Sequence, residues 1–143
     1  MDWCTKAGEV ALHESRAVRA RTIADDVTAL DVLMFLRAEH GAVKLDGDPQ
    51  HAGHQFRALQ QFAEEGDDAP KVHYVRPPDA VAHDNDVWTD CAWIAAVLPL
   101  PEGSVTVLRI EDPRNGAPGP WQPTWSTRAY GRFGAMFERE IPD

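Results

Sequence analysis

Apolar residues recur at helical spacing between His51 and Glu64. Four of them stand four, three and four positions apart, a spacing that places side chains on one face of a helix: Ala52, Phe56, Leu59 and Ala63. Phe62 widens this apolar stripe, while polar residues fill the remaining positions. The pattern predicts a helix over His51–Glu64.

A second helix is predicted over Val27–His40. Asp25 or Asp26 would cap its start, and Gly41 would end it. The run Val32–Leu36 is apolar on nearly every side, which predicts burial on several faces. A short apolar run of this kind is equally compatible with a buried strand.

Weaker helical patterns stand near both ends of the chain. A short first helix is predicted over Cys4–Glu14. A last helix is predicted over Ser126–Glu140, although two glycines within it lower its helix propensity. Its apolar residues recur at spacings of three, four and four: Tyr130, Phe133, Phe137 and Ile141.

The strongest strand signal is a hairpin. The segments Ala92–Leu98 and Val105–Ile110 are apolar, the second is rich in β-branched residues, and residues 99–103 between them supply turn chemistry. Strands are also predicted over Lys71–Val75 and Ala17–Ile23, the latter with the alternation of an edge strand. Together these elements predict an α+β fold, with N-terminal helices packed on a small antiparallel sheet and a C-terminal helix.

Length and composition predict one folded domain over residues 1–143. The chain is 43% apolar and 26% charged, both typical of globular domains. No apolar run is long enough to cross a bilayer, and the N-terminus does not have the pattern of a secretory signal, so we expect a cytoplasmic protein. Two cysteines, Cys4 and Cys91, are too few for a disulfide framework and are expected to be thiols.

The negative charge is concentrated in the middle of the chain. The formal net charge is −9, and residues 24–70 hold ten acidic and three basic side chains. Binding to nucleic acid would require the opposite sign, so no nucleic-acid partner is expected, and without a bilayer-spanning run no membrane partner is expected either. A protein with a basic surface suits this field better. The alternative interpretation is that the acidity only keeps the protein in solution.

Five histidines stand within residues 40–83, with aspartates among them, and raise the question of a metal site. They are His40, His51, His54, His73 and His83. No His-Glu-x-x-His pattern and no cysteine pair completes a known ligand spacing, so we predict no metal and no cofactor. The alternative is a small enzyme with a metal or acid–base site built from these histidines and nearby aspartates. No nucleophile motif is present, and no catalytic residue is predicted.

Tryptophans provide the most informative candidate site. Trp121 and Trp125 lie in or beside the proline-rich segment 113–123, which must be a loop. Tryptophan is enriched among the residues that dominate binding energy at interfaces. A core position for these indoles is the competing interpretation.

These features combine into one functional hypothesis. The chain is predicted to be a small acidic protein-binding module of the inhibitor or immunity type. The partner would be a protein with a basic surface. The predicted contact residues are Trp121, Trp125, Glu64, Glu65, Asp67 and Asp68.

Overall fold

The computed structural model describes residues 1–45, 47, 53–63, 70–112, 123–136 and 139–142. Within these residues the elements are strands and two short 3₁₀ turns, Gln60–Ala63 and Asp84–Asp86. The strands, in chain order, are β1 Asp2–Cys4, β2 Val10–Ala24, β3 Val27–Ala38, β4 Val43–Leu45, β5 His54–Arg57, β6 His73–Val75, β7 Val81–His83, β8 Val87–Thr89, β9 Trp93–Leu100, β10 Gly103–Ile110, β11 Thr124–Arg128, β12 Arg132–Met136 and β13 Arg139–Ile141.

The chain divides into two compact units. The first comprises Met1–Leu45 together with Glu138–Asp143, and the second comprises Asp46–Phe137. The expectation of one domain over residues 1–143 stays a prediction, because compact units can also be parts of one domain.

The first unit is built on a long antiparallel ribbon. β2 pairs with β3 from Leu12↔Ala38 to Thr22↔Thr28, and β1 adds a third strand in the order β1-β2-β3. β4 pairs with β13 in a separate two-stranded sheet. Only the base of the ribbon is buried, with Leu12 1% and Ala38 4% exposed.

The second unit packs two antiparallel sheets around one core. One sheet has the order β10-β9-β6, and the other has the order β5-β12-β11-β8-β7. The first sheet contributes Ile94, Ala96 and Leu98 to the core, and the second contributes Trp125 and Phe133. An edge-on contact between Tyr74 and Phe133, with ring centroids 5.7 Å apart, joins the two sheets.

The α+β prediction is therefore wrong, because every long helix it contained is replaced by strands. The segment predicted as the helix His51–Glu64 contains β5 and a 3₁₀ turn, and Val27–His40 contains β3. Cys4–Glu14 contains the end of β1 and the start of β2, and Ser126–Glu140 contains β12 with parts of β11 and β13. The predicted arrangement, with N-terminal helices packed on a small sheet and a C-terminal helix, is therefore wrong as well.

Long-range pairing explains the errors at His51–Glu64 and Ser126–Glu140. All five residues of β12 are buried, so the spacing of Tyr130 and Phe133 does not report one helical face. Phe56 lies opposite Phe133, a partner far away in the sequence. Strand preference depends on such neighbours more than on local propensity.

The hairpin prediction is confirmed. β9 and β10 pair from Gly103↔Leu100 to Ile110↔Trp93, so the turn consists of Pro101 and Glu102 rather than five residues. The strand predicted over Lys71–Val75 is present as β6, and Ala17–Ile23 lies within β2. Among the described residues, no helix has the length and apolarity needed to cross a membrane.

Candidate functional site

The sheet β10-β9-β6 has one face in the core and one face turned outward. Because side chains alternate along a strand, the register places apolar residues on the outward face as well. This surface, here called the open face, consists of Val75, Trp93, Ala95, Val97, Thr106, Leu108 and Ile110. It forms a shallow depression of about 470 Å³. Leu108 and Ile110 are 55% and 67% exposed.

The open face belongs to the more acidic unit. Residues 46–137 hold thirteen acidic and seven basic side chains, which gives this unit a net charge of −6. Trp93 and Ile110 pair at one end of the hairpin. Asp90 stands three residues before Trp93, and Asp112 and Glu111, the latter paired with Arg109, follow Ile110. An apolar surface bordered by acidic segments is typical of a protein-binding face.

The ribbon of the first unit exposes a second set of apolar residues. Beyond its base, both faces of β2 and β3 are exposed, including Leu30 at 63% and Phe35 at 64%. Arginines are interspersed with them, and Arg21 pairs with Asp31 at 3.0 Å. This mixture does not complement a basic partner, so the ribbon fits the expected partner less well than the open face does.

The second unit also contains a polar and aromatic cluster centred on Arg76, which directly follows β6. Its guanidinium carbon lies 3.6 Å from the centroid of the Trp88 ring and 5.4 Å from that of Tyr74. Arg76 Nη2 donates to Thr127 Oγ1 at 3.3 Å, and Trp88 Nε1 donates to the same oxygen at 3.1 Å. Burial lowers the pKa of Arg76 from its usual value. The cluster thus holds a half-buried cation against aromatic rings.

Strained backbone flanks the strand that carries Trp88. Asn85 and Asp86 have φ angles of 63° and 56° just before β8, and Asp90 has a φ of 53° just after it. Left-handed conformations are uncommon for residues other than glycine, although asparagine and aspartate adopt them more readily than the rest. Arg128 supports this loop, since its Nη1 donates to the Asn85 carbonyl at 2.8 Å. Strain of this kind concentrates at ligand sites and switch regions.

The structure places Trp125 in the core. Its side chain is 0% exposed, and its Nε1 donates to the Cys91 carbonyl at 2.5 Å. Arg109 lies over its ring at 5.6 Å. Of the two interpretations open for this tryptophan, burial is the one observed, and the ring is not a surface anchor. The other predicted contact residues lie outside the described residues: Trp121, Glu64, Glu65, Asp67 and Asp68.

The histidines are dispersed where the structure describes them. His40, His73 and His83 are exposed, and His83 Nε2 lies 2.9 Å from Thr89 Oγ1. His54 lies on β5, where its carbonyl accepts a hydrogen bond from Arg109. Among described residues, no three His, Cys, Asp or Glu side chains stand close enough to hold a metal ion. His51 falls outside these residues, and the absence of a metal or cofactor stays a prediction.

Sequence reasoning missed Arg76 as a functional candidate. A signal was present, because Arg76 precedes Pro77 and Pro78, and a residue before proline is biased toward extended backbone. An extended arginine at the end of a strand is well placed to lie across a neighbouring strand. That Trp88 would be this neighbour depended on sheet packing, which no local pattern encodes.

The chain belongs to a family of unknown function, DUF6807, whose model matches residues 1–142. No curated protein and no solved structure matches it.

Proposed function

We propose that this DUF6807 member is a protein-binding module that presents the open face to a partner with a basic surface. The observation that carries the proposal is an exposed apolar sheet face in a unit of net charge −6. Exposed apolar patches rimmed by polar residues are a feature of interaction surfaces. The acidic surroundings then define which kind of partner is complementary.

The open face offers a centre and a border with different roles. Trp93, Leu108 and Ile110 supply apolar area that is removed from water when a partner covers them. Trp93 is the natural anchor, since tryptophan often dominates the binding energy of an interface. The net negative charge of the unit would speed the encounter with a basic partner and make it sensitive to salt.

The acidic segment remains part of this proposal. Glu64, Glu65, Asp67 and Asp68 belong to the same unit as the open face, and they add four negative charges to it. We propose that they contribute to the attraction of the partner, and that Trp121 adds contact area. Trp125 is not included, because its indole is buried.

An inhibitor or immunity-type protein of the cytoplasm is the form of module that we propose. Such a protein binds a target and performs no chemistry of its own. The small size and the charge of the chain support this assignment. An exposed binding face on a rigid sheet is the geometry that this role requires.

The experiment compares two single substitutions against one purified partner. The partner is first captured on the immobilised protein, identified and then purified. Its affinity is then measured for the unaltered chain, for Leu108→Asp and for the matched control Val81→Asp. Val81 is also an exposed strand residue, at 43%, but it lies on β7 in the other sheet.

We expect Leu108→Asp to weaken binding at least tenfold, mainly through faster dissociation, and Val81→Asp to leave it unchanged. Raising the salt concentration should slow association. Equal loss in both variants, or association that does not depend on salt, would contradict the proposal. Sedimentation velocity tests whether the open face binds a second copy of this chain instead. If the protein self-associates and Leu108→Asp abolishes that association, the partner is a second copy and not a basic protein.

A further inference from the structure

Arg76 is a half-buried cation that lacks a carboxylate partner in the part of the chain that the structure describes. Its one hydrogen bond there is the 3.3 Å contact from Nη2 to Thr127 Oγ1. Its Nε is buried and has no acceptor. Removing a guanidinium from water without a counter-ion is costly, so structural arginines at such depth are usually paired. An unpaired one points to a partner other than the residues that the structure describes.

Aromatic contacts hold the guanidinium in a defined orientation. Trp88 lies 3.6 Å away and is itself oriented through its hydrogen bond to Thr127. Tyr74 lies 5.4 Å away, and its hydroxyl donates to the Arg128 carbonyl at 2.8 Å. A cation whose orientation is set before binding loses little conformational entropy when a ligand arrives. The site is therefore preorganised for one planar group.

The donors of Arg76 that remain for a ligand are the terminal nitrogens of the guanidinium group. Nε is enclosed and Nη2 is partly used, while Nη1 makes no hydrogen bond to a described residue. We propose that Arg76 anchors a binding site for a small monocarboxylate, whose two oxygens accept end-on hydrogen bonds from Nη1 and Nη2. Paired parallel hydrogen bonds of this type are the characteristic mode of arginine–carboxylate recognition.

Nearby charge selects a monoanion. Asp86 is close enough to favour the charged form of Arg76, and it pairs with Arg128 at 3.8 Å. The carboxylate of Asp86 would repel a dianion such as phosphate about twice as strongly as it repels a monocarboxylate. Arg128 also supports this loop, because its Nη1 donates to the Asn85 carbonyl at 2.8 Å. The site is independent of the open face and needs no protein partner.

The test uses sodium acetate as the probe and follows arginine side-chain Nε–H signals by two-dimensional NMR of the full chain. Arg76→Lys identifies the signal of Arg76 by its loss. We expect acetate to shift that signal saturably, while sodium chloride at equal ionic strength leaves it in place. Sodium phosphate should bind at least tenfold more weakly than acetate.

Tryptophan fluorescence then reports acetate binding to the variants. Arg76→Gln should lose the saturable response, and Arg76→Lys should weaken it at least tenfold, because an ammonium cannot form the paired contact. Arg57→Gln is the matched control, since Arg57 is an exposed strand arginine and should bind acetate like the unaltered chain. If Arg76→Gln fails to fold, Arg76→Lys and the NMR titration decide. An equal response to chloride, tighter binding of phosphate, or full binding by Arg76→Lys would overturn the assignment.

Discussion

The indole Nε1 of Trp125 donates a hydrogen bond of 2.5 Å to the backbone carbonyl of Cys91. Trp125 lies on β11, and Cys91 lies between β8 and β9, in the segment that leads from one sheet of the second unit to the other. Both residues are buried, Trp125 at 0% and Cys91 at 2% exposure. This contact explains why a tryptophan beside a proline-rich segment belongs to the core: its polar atom has a partner there.

Replacing Trp125 by phenylalanine should lower the free energy of unfolding by roughly 2–4 kcal/mol. The substitution leaves the Cys91 carbonyl buried without its donor and removes part of the core volume. Urea unfolding measures the loss. Trp93→Phe is the matched control, because that indole lies on the open face and should cost far less. Equal losses in the two variants would show that Trp125 is not the better-packed indole.

Gly134 marks a place where two strands approach too closely for a side chain. A Cβ on Gly134 would lie 2.6 Å from the His54 carbonyl oxygen and 2.9 Å from Gln55 Cα. Gly134→Ala should therefore force β12 away from β5 and lower the free energy of unfolding by about 1–3 kcal/mol. Amide hydrogen exchange should speed up in β5 and stay slow in β9.

Gly41→Ala provides the comparison for Gly134. The added Cβ would meet no atom within 4 Å, although the φ of +103° makes the new residue strained. This variant should leave exchange in β5 unchanged. Faster exchange in β5 for both variants would assign the effect to general destabilisation instead of the strand contact.

Tyr74 should ionise at a higher pH than an ordinary tyrosine. Burial raises the pKa of Tyr74 from 10.0 to about 12. Absorbance at the phenolate wavelength should show a late step that Tyr74→Phe removes, while Tyr130, the second of the two tyrosines, remains in the variant. A titration curve of unchanged shape in Tyr74→Phe would contradict this assignment.

The same shift has a consequence for stability. The folded state binds the phenolic proton more tightly than the unfolded state, so the contribution of Tyr74 is fully present below pH 10. It is lost as the pH rises from 10 toward 12. The free energy of unfolding should fall more steeply across this interval in the unaltered chain than in Tyr74→Phe. Urea midpoints measured at several pH values provide the comparison.

The two thiols should react at different rates with an alkylating reagent. Cys4 is exposed, whereas Cys91 is buried and its Sγ donates to the Trp93 carbonyl at 2.9 Å. Burial raises the pKa of the Cys91 thiol, which lowers the fraction of reactive thiolate. Mass spectrometry should show one fast addition in the native protein and two in denaturant. Cys4→Ser should eliminate the fast addition; a rapid reaction remaining in that variant would place Cys91 at the surface.

Local features of the chain were sufficient for its most regular element. The β9–β10 hairpin joins neighbouring segments through a short turn, so β-branched residues and turn residues within 18 positions contain the whole pattern. The helical spacing around Phe56 and Phe133 misled because these residues pair with each other across the sheet β5-β12-β11-β8-β7. Apolar residues spaced three and four positions apart here pack against several neighbouring strands and do not form one face of a helix.

By itself, the sequence determined the net charge of −9, its concentration in the middle of the chain, the two thiols and the β9–β10 hairpin, since each follows from composition or from adjacent residues. Only the tertiary structure decided that Trp125 is buried, that Arg76 lies on Trp88, and that one face of a sheet stays open. The physical reason is packing between sheets. Arg76 follows β6 and Trp88 lies on β8, strands of two different sheets, so residues of this kind become neighbours only when the sheets pack together.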